Sequence, residues 1–346
     1  IDGVEVMRLD DAPGGEVVLA AWSTGSRNLE ADQNHFVALF EQQSGRWTEK
    51  DRYELENIDH MSLVRAVDLE PDNLWLEVQG GAGAHSSCYY LLLYDGLHIR
   101  DALTTCHSSG PAAELLDANG DGVLDVVVND TDDYVFCYAC GVRFPRYRVL
   151  RWDGRKMIEV SLESLGAAAP AEVRELNDRA VELAEGGLWE QALDVSRLAL
   201  DAGGGHDTVA WNAAIIDLNA AALRENAERG AYPLLELVFY GDFESAVDFM
   251  RKYPVPEAFG DDTPLIVGTV AEGDEETVAR WIESSTNAAL RVEPDLAAAY
   301  FLRGWAESLT EGGVEAALKD LERAAALEGD DPYYTRALAY VEAQGT

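Results

Sequence analysis

Lysine is nearly missing from this chain: Lys50, Lys156, Lys252 and Lys319 are the only four in 346 residues. With 26 basic against 64 acidic residues the formal net charge is −38. A field of that sign repels nucleic acid and anionic lipid headgroups and favours cations and basic protein surfaces, so no nucleic-acid partner is expected. The acidity is not a tail. Residues 1–165 hold 29 acidic and 13 basic residues, and residues 166–346 hold 35 and 13, so it belongs to the whole surface.

Long apolar runs are also missing. The longest, such as Val17–Trp22 and Tyr89–Tyr94, fall far short of the roughly 20 residues a membrane helix needs, and no transmembrane segment is expected. Methionine is lacking at the start, where Ile1 already lies in a strand-like pattern. That beginning is expected of a chain from which a signal peptide or lipoprotein leader is missing, or of one cut at an arbitrary boundary, and it gives no address. Cysteines number four, and all of them, Cys88, Cys106, Cys137 and Cys140, lie in the first half. An even number confined to one region predicts disulfides and an oxidising, extracytoplasmic compartment, periplasmic or surface-associated.

Catalytic signatures are absent as well. The six histidines (His35, His60, His85, His98, His107 and His206) form neither HExxH nor a helix-borne i, i+4 pair. The glycine- and serine-rich stretch around His85 precedes a strand, which argues against a phosphate cradle or a nucleophile elbow. Among 64 acidic residues, no single carboxylate pair is informative about glycoside chemistry. No catalytic residue is predicted.

What is present divides the chain in two. Residues 1–165 alternate apolar and polar side chains in short runs separated by turn residues, the pattern of β-strands. Three units repeat, from Gly3 to about Leu55, from Ser62 to about Thr105 and from Gly110 to about Leu162. Each opens on a strand ending in aspartate (Asp10, Asp68, Asp117), continues through a second strand, and closes with a Ser-Gly or Asp-Gly hairpin. Three four-stranded units of about 50 residues resemble propeller blades. From Pro170 onward alanine, leucine and glutamate recur at helical spacing. The expectation is a multi-domain α and β protein, with an all-β propeller-like domain at 1–165 and an all-α domain at 170–346.

The sharpest motif is the run Asp117-Ala-Asn-Gly-Asp-Gly-Val-Leu-Asp125. Side-chain oxygens fall at Asp117, Asn119, Asp121 and Asp125, and Val123 offers its backbone carbonyl. Calcium takes six to eight oxygens, so alternate residues of a tight loop must point inward. An EF-hand would require helical flanks and a glutamate at position 12, where Val128 stands. The pattern between strands is similar to the calcium loops of FG-GAP repeats, the integrin-type (VCBS-like) propeller blades. That resemblance implies one structural Ca2+ site. The corresponding turns at Asp10 and Asp68 keep only the first aspartate.

Cys88 and Cys106 flank the Asp95-Gly96 hairpin tip, so a cross-strand disulfide is expected there. Cys137 and Cys140 form C-x-x-C. A turn disulfide, half of a zinc site and a redox couple compete for this pair. Zinc lacks further ligands at finger spacing and a redox couple lacks the helix N-terminus it needs, which leaves the structural disulfide preferred.

In the helical half, Ala180, Leu183, Gly187, Trp189, Ala192 and Ala199 are spaced as in a tetratricopeptide (TPR) repeat. Tyr300, Gly304, Gly312, Ala317, Leu321 and Ala324 form a second copy, and Gly241, Phe243 and Ala246 a degenerate third. A further helical pair is expected over Thr263–Glu293 and a capping helix over Pro332–Gln344. The resemblance implies a solenoid that docks protein partners. The expected function is therefore a non-catalytic extracytoplasmic scaffold, an accessory subunit of a complex that could be membrane-associated. The alternatives are a secreted carbohydrate-active hydrolase with a carboxylate pair in its β domain and a calcium-dependent adhesion module.

Overall fold

The computed structural model describes residues 4–9, 18–23, 35–70, 73–82, 86–108, 110–131, 140–203 and 205–344. The turn expected to follow Asp10, the His85 stretch and Cys137 lie outside them. The chain divides into two compact units, one of Ile1–Asp130 with Tyr147–Val160 and one of Thr131–Arg146 with Ser161–Thr346.

Among the described residues the first unit holds three antiparallel four-stranded sheets, none of them closed. The first sheet runs β1 (Val4–Leu9), β2 (Val18–Ser23), β3 (His35–Gln43) and β4 (Arg46–Leu55) in chain order. The second runs β5 (His60–Val67), β6 (Leu74–Ala82), β7 (Ser86–Tyr94) and β8 (Ile99–His107). The third runs β9 (Ala113–Leu116), β10 (Asp125–Asn129), β11 (Tyr147–Trp152) and β12 (Met157–Val160). At the tip between β7 and β8 the Asp95 carboxylate accepts the N–H groups of Leu97 and His98, both at 2.9 Å. Asp153 does the same for Arg155 and Lys156 between β11 and β12. Each aspartate thereby closes the hairpin that its sequence position suggested.

The middle sheet is buried on both faces, and strand periodicity explains how. Leu74, Leu76 and Val78 of β6, with Tyr90 and Leu92 of β7, pack with Trp22, Val37 and Leu39 of the first sheet. The intervening residues Trp75, Tyr89 and Leu91 pack with Val126, Val128 and Leu150 of the third. Trp75 meets Trp152 edge to face at 4.8 Å. Glu77 shares the second of these faces and is fully buried, paired to Arg65 and accepting from Gln79 at 2.9 Å. Cys88 and Cys106 face each other across β7 and β8 and are joined in a disulfide, as expected.

Among the described residues the second unit contains ten helices. The first hairpin is α1 (Ala171–Glu185) and α2 (Trp189–Gly203), followed by the long α3 (Asp207–Arg229). Next come α4 (Pro233–Tyr240), α5 (Phe243–Met250) and the single turn α6 (Val255–Ala258). The remainder is α7 (Glu275–Val292), α8 (Ala297–Ser308), α9 (Val314–Leu327) and α10 (Pro332–Gln344). The small residues lie where close packing needs them. Ala180, Ala192 and Ala199 of the first hairpin and Ala317 and Ala324 of α9 are all at most 2% exposed. A Cβ on Gly304 would come within 2.9 Å of Leu321, so α8 and α9 touch at that point. Gly241, at φ +84, abuts the carbonyl of Gly187, where a Cβ would approach to 2.4 Å. The turns of two helical hairpins thus meet backbone to backbone, a contact only glycine admits.

One expectation is corrected. Thr263–Glu293 is not a helical pair: a succession of turns precedes the single helix α7. Pro264, Gly268 and Gly273 break the first half. Thr263 and Thr269 fix its turns by hydrogen-bonding the carbonyls of Ala258 and Ile266.

Residues 161–170 are tied to the helices by buried amides. Asn212 Nδ2 donates to the Glu163 carbonyl and to Asn177 Oδ1, each at 2.7 Å, and the Glu163 N–H donates to Asn212 Oδ1. Residues 140–146 also belong to this unit. Val142 is fully buried in its core, Phe144 packs edge to face on Phe239 at 4.8 Å and meets Trp281 at 6.0 Å, and Asn226 donates to the Arg143 carbonyl.

Candidate metal centre

The run Asp117–Asp125 forms the connection between β9 and β10. Gly120 and Gly122 take φ of +77° and +88°, which lets successive N–H groups turn toward the first aspartate. Asp117 Oδ1 accepts from the N–H groups of Gly120 and Asp121 at 2.8 and 3.0 Å, and its Oδ2 accepts from Gly122 at 2.9 Å. Asn119 Oδ1 accepts the Asp121 N–H at 3.1 Å, while its Nδ2 donates to Asp121 Oδ2 at 2.9 Å. Asp121 Oδ1 takes the N–H of Val123 at 2.8 Å. Asp125 opens β10 and closes the loop by accepting the Ala118 N–H at 3.1 Å.

The four polar residues are thus drawn onto one small loop. Asp117 and Asp121 are exposed, whereas Asp125 is only 2% exposed. Burial pushes the Asp125 carboxyl up to about 6, with Asp121 and Asp117 adding repulsion and the Ala118 N–H and Arg151 opposing it. Val123 points an apolar side chain outward, 53% exposed, and would contribute only its carbonyl. Among the described residues, no three His, Cys, Asp or Glu side chains converge as a ready-made ligand group. In the arrangement seen, the carboxylates serve the loop's own N–H groups. The donor set is nevertheless all hard oxygen, and a buried carboxyl whose ionisation two neighbouring aspartates oppose is the electrostatic condition that a cation relieves. The residues fit calcium in chemistry and charge.

The other singled-out residues lie elsewhere. The Asp68 turn closes on itself, with Asn73 donating to Glu70 through its side-chain amide at 2.8 Å. Cys140 is disulfide-bonded. His35 is buried on β3.

Some buried ionisable groups carry no signal in the sequence. Glu236 is 1% exposed, burial raises its carboxyl to about 7, and its Oε1 finds no hydrogen-bond partner. Glu307 is raised to about 7 by burial, reinforced by Asp320. Arg303 of α8 forks onto Asp320 of α9 and reaches Asn287 of α7, which links three helices. Only the three-dimensional packing separates these residues from the other acids.

No family model matches the chain, and no curated protein matches it in sequence.

Proposed function

We propose that the protein is a non-catalytic extracytoplasmic scaffold whose helical unit docks partner proteins and whose β unit is stabilised by one structural calcium ion. The observation that carries this reading is the pair of helical hairpins α1–α2 and α8–α9. Their buried small residues sit at the positions that the tetratricopeptide spacing assigns, the arrangement from which peptide-docking solenoids are built. The three open four-stranded sheets stacked face to face support a propeller-like β unit of FG-GAP type. The Cys88–Cys106 disulfide supports an oxidising compartment, and among the described residues no helix is long and apolar enough to cross a membrane.

Calcium would be held by Asp117, Asn119, Asp121 and Asp125 with the Val123 carbonyl, and it would supply charge neutralisation. The chain's own part is to gather those oxygens, with Gly120 and Gly122 curving the loop and Asp125 anchoring it to β10. The deciding experiment is affinity isolation from the native source, with and without a chelator, followed by identification of co-purifying proteins. Stoichiometric partners retained by the native chain would support the scaffold, and their loss on chelation would tie the loop to docking. A protein recovered alone under both conditions would overturn the scaffold.

A further inference from the structure

The chain carries 64 acidic against 26 basic residues, which makes a cleft without acids conspicuous. Such a cleft, of about 700 Å3, lies within the helical unit between the segment following α5 and the outer face of α10. Ten residues line it; three are basic, four are tyrosine or valine, and none is acidic. In a protein with 64 acidic residues among 346, that lining is a local reversal of the charge pattern.

The three cations have different roles. Arg251 is neutralised: its guanidinium forks onto Asp331, also meets Asp248 at 3.0 Å, and lies over the ring of Tyr333 at 5.0 Å. It builds the wall. Lys252 and Arg336 are exposed and form no ion pair among the described residues, and Lys252 rests its ammonium 4.2 Å above the Phe249 ring. Both cations are therefore open to an incoming anion, since none of the lining residues is acidic.

The neutral part of the lining completes the site. Tyr333 is locked in place, donating its hydroxyl to the Met250 carbonyl at 2.9 Å. Tyr253 and Tyr340 are half-buried, and their hydroxyls are engaged in no hydrogen bond among the described residues, so each presents a ring and a donor to the cleft. Pro254 and Pro256 stiffen the floor between them. An aromatic groove on a proline-stiffened floor is the kind of surface that accepts an extended, proline-bearing peptide, because such a peptide has little conformational entropy left to lose.

We propose that this cleft binds an acidic, proline-bearing extended segment of a partner protein, with Lys252 and Arg336 pairing its carboxylates and Tyr253 and Tyr340 stacking on its backbone and prolines. The inference rests on the scaffold reading and gives it a partner chemistry opposite in sign to the one the net charge suggests. Local attraction prevails over the repulsive field because mobile ions screen charges beyond about 8 Å at physiological salt.

The test uses two fluorescein-labelled peptides on the full chain, one of alternating glutamate and proline and one of alternating glutamine and proline. Fluorescence polarisation is expected to show binding of the first only, weakening as salt is raised. The double variant K252E/R336E should lose at least about tenfold in affinity, as expected for reversed charges at a binding rim. Both positions are exposed, and an unchanged thermal transition would show that the variant is folded. Equal binding of the two peptides, failure of the glutamate peptide to bind, or unchanged affinity in the folded double variant would each overturn the cleft. Displacement of the peptide by millimolar inorganic phosphate would overturn the peptide as occupant in favour of a small anion. Partner isolation separates this inference from the reading beneath it. A native chain that captures partners yet ignores the glutamate peptide keeps the scaffold and loses the cleft, whereas a chain that binds the peptide but purifies alone does the reverse.

Discussion

The two units solve the same problem, a chain with a net charge of −38, by different means. In the β unit the buried acids are partnered or placed at a loop. Glu77 has Arg65 and Gln79, and Asp125 sits where a cation can reach it. In the helical unit Asp320 is buried against Arg303, but Glu236 is buried and Glu307 half-buried with one carboxylate oxygen each that no hydrogen bond satisfies among the described residues. The β unit has a covalent tie between β7 and β8 in the middle of its sheet stack, whereas the helical unit has one continuous core, with its disulfide-bonded Cys140 on the segment that precedes β11. The lesson is where each unit keeps its margin: in a cross-strand disulfide and paired charges on one side, and chiefly in side-chain interlock on the other.

The comparison can be broken most forcefully in the helical core. Trp305 is fully buried and donates its indole N–H to the Ala258 carbonyl at 2.8 Å. Trp305→Ala should cost about 3–5 kcal/mol in urea unfolding followed by far-ultraviolet dichroism; a cost below 1 kcal/mol would show that the core is not interlocked. Next in size, replacing Cys88 and Cys106 by alanine should remove about 3 kcal/mol, because the bond closes a loop of 18 residues. A loss confined to the helical signal would contradict the assignment of that margin to the β unit.

Calcium and pH sharpen the contrast further. Asp125 has a folded-state value raised from 3.8 to about 6. In the metal-free chain its contribution to stability is therefore fully present below pH 4 and is lost as pH rises through 6, an effect of about 3 kcal/mol. Calcium needs the ionised form, so its affinity should fall as pH drops through 6, read by calorimetric titration. Asp125→Asn should abolish calcium binding and flatten the pH dependence of the metal-free chain over that window. Glu236, raised from 4.5 to about 7, obeys the same sign: its contribution is present below 4.5 and lost as pH rises through 7. Glu236→Gln should flatten the helical unit's stability between pH 5 and 8 by about 3 kcal/mol, with no response to calcium. The smallest effect is at Gly120, where alanine at φ +77 should cost about 1–2 kcal/mol.

How much of this was legible in the sequence follows from how local each signal is. The strand alternation of Leu74-Leu76-Val78, the Asp-Gly tips and the Cys88–Cys106 pair were readable because each is settled by a few neighbouring residues. The limits of α10 coincide with the expected capping helix for the same reason: Pro332 starts it, and its apolar face repeats without interruption. The helix α3 went unassigned because its apolar residues surround the axis and give no single face to recognise. Thr263–Glu293 was misjudged because its helical composition outweighed the breakers within it. At the candidate metal loop the donor residues were visible in advance. The burial of Asp125 was not, since it depends on the strands that flank it.

Val142 and Phe144 belong to the helical unit although the polypeptide reaches them before β11 and β12 are made. The polypeptide therefore passes between the units three times. A gene cut at residue 166 would deliver α1 to α10 yet omit Val142, which is fully buried in their core, and Phe144, which packs on Phe239 and Trp281. Such a product would be synthesised with a hole in its interior, and the missing piece would be encoded on the discarded side of the cut.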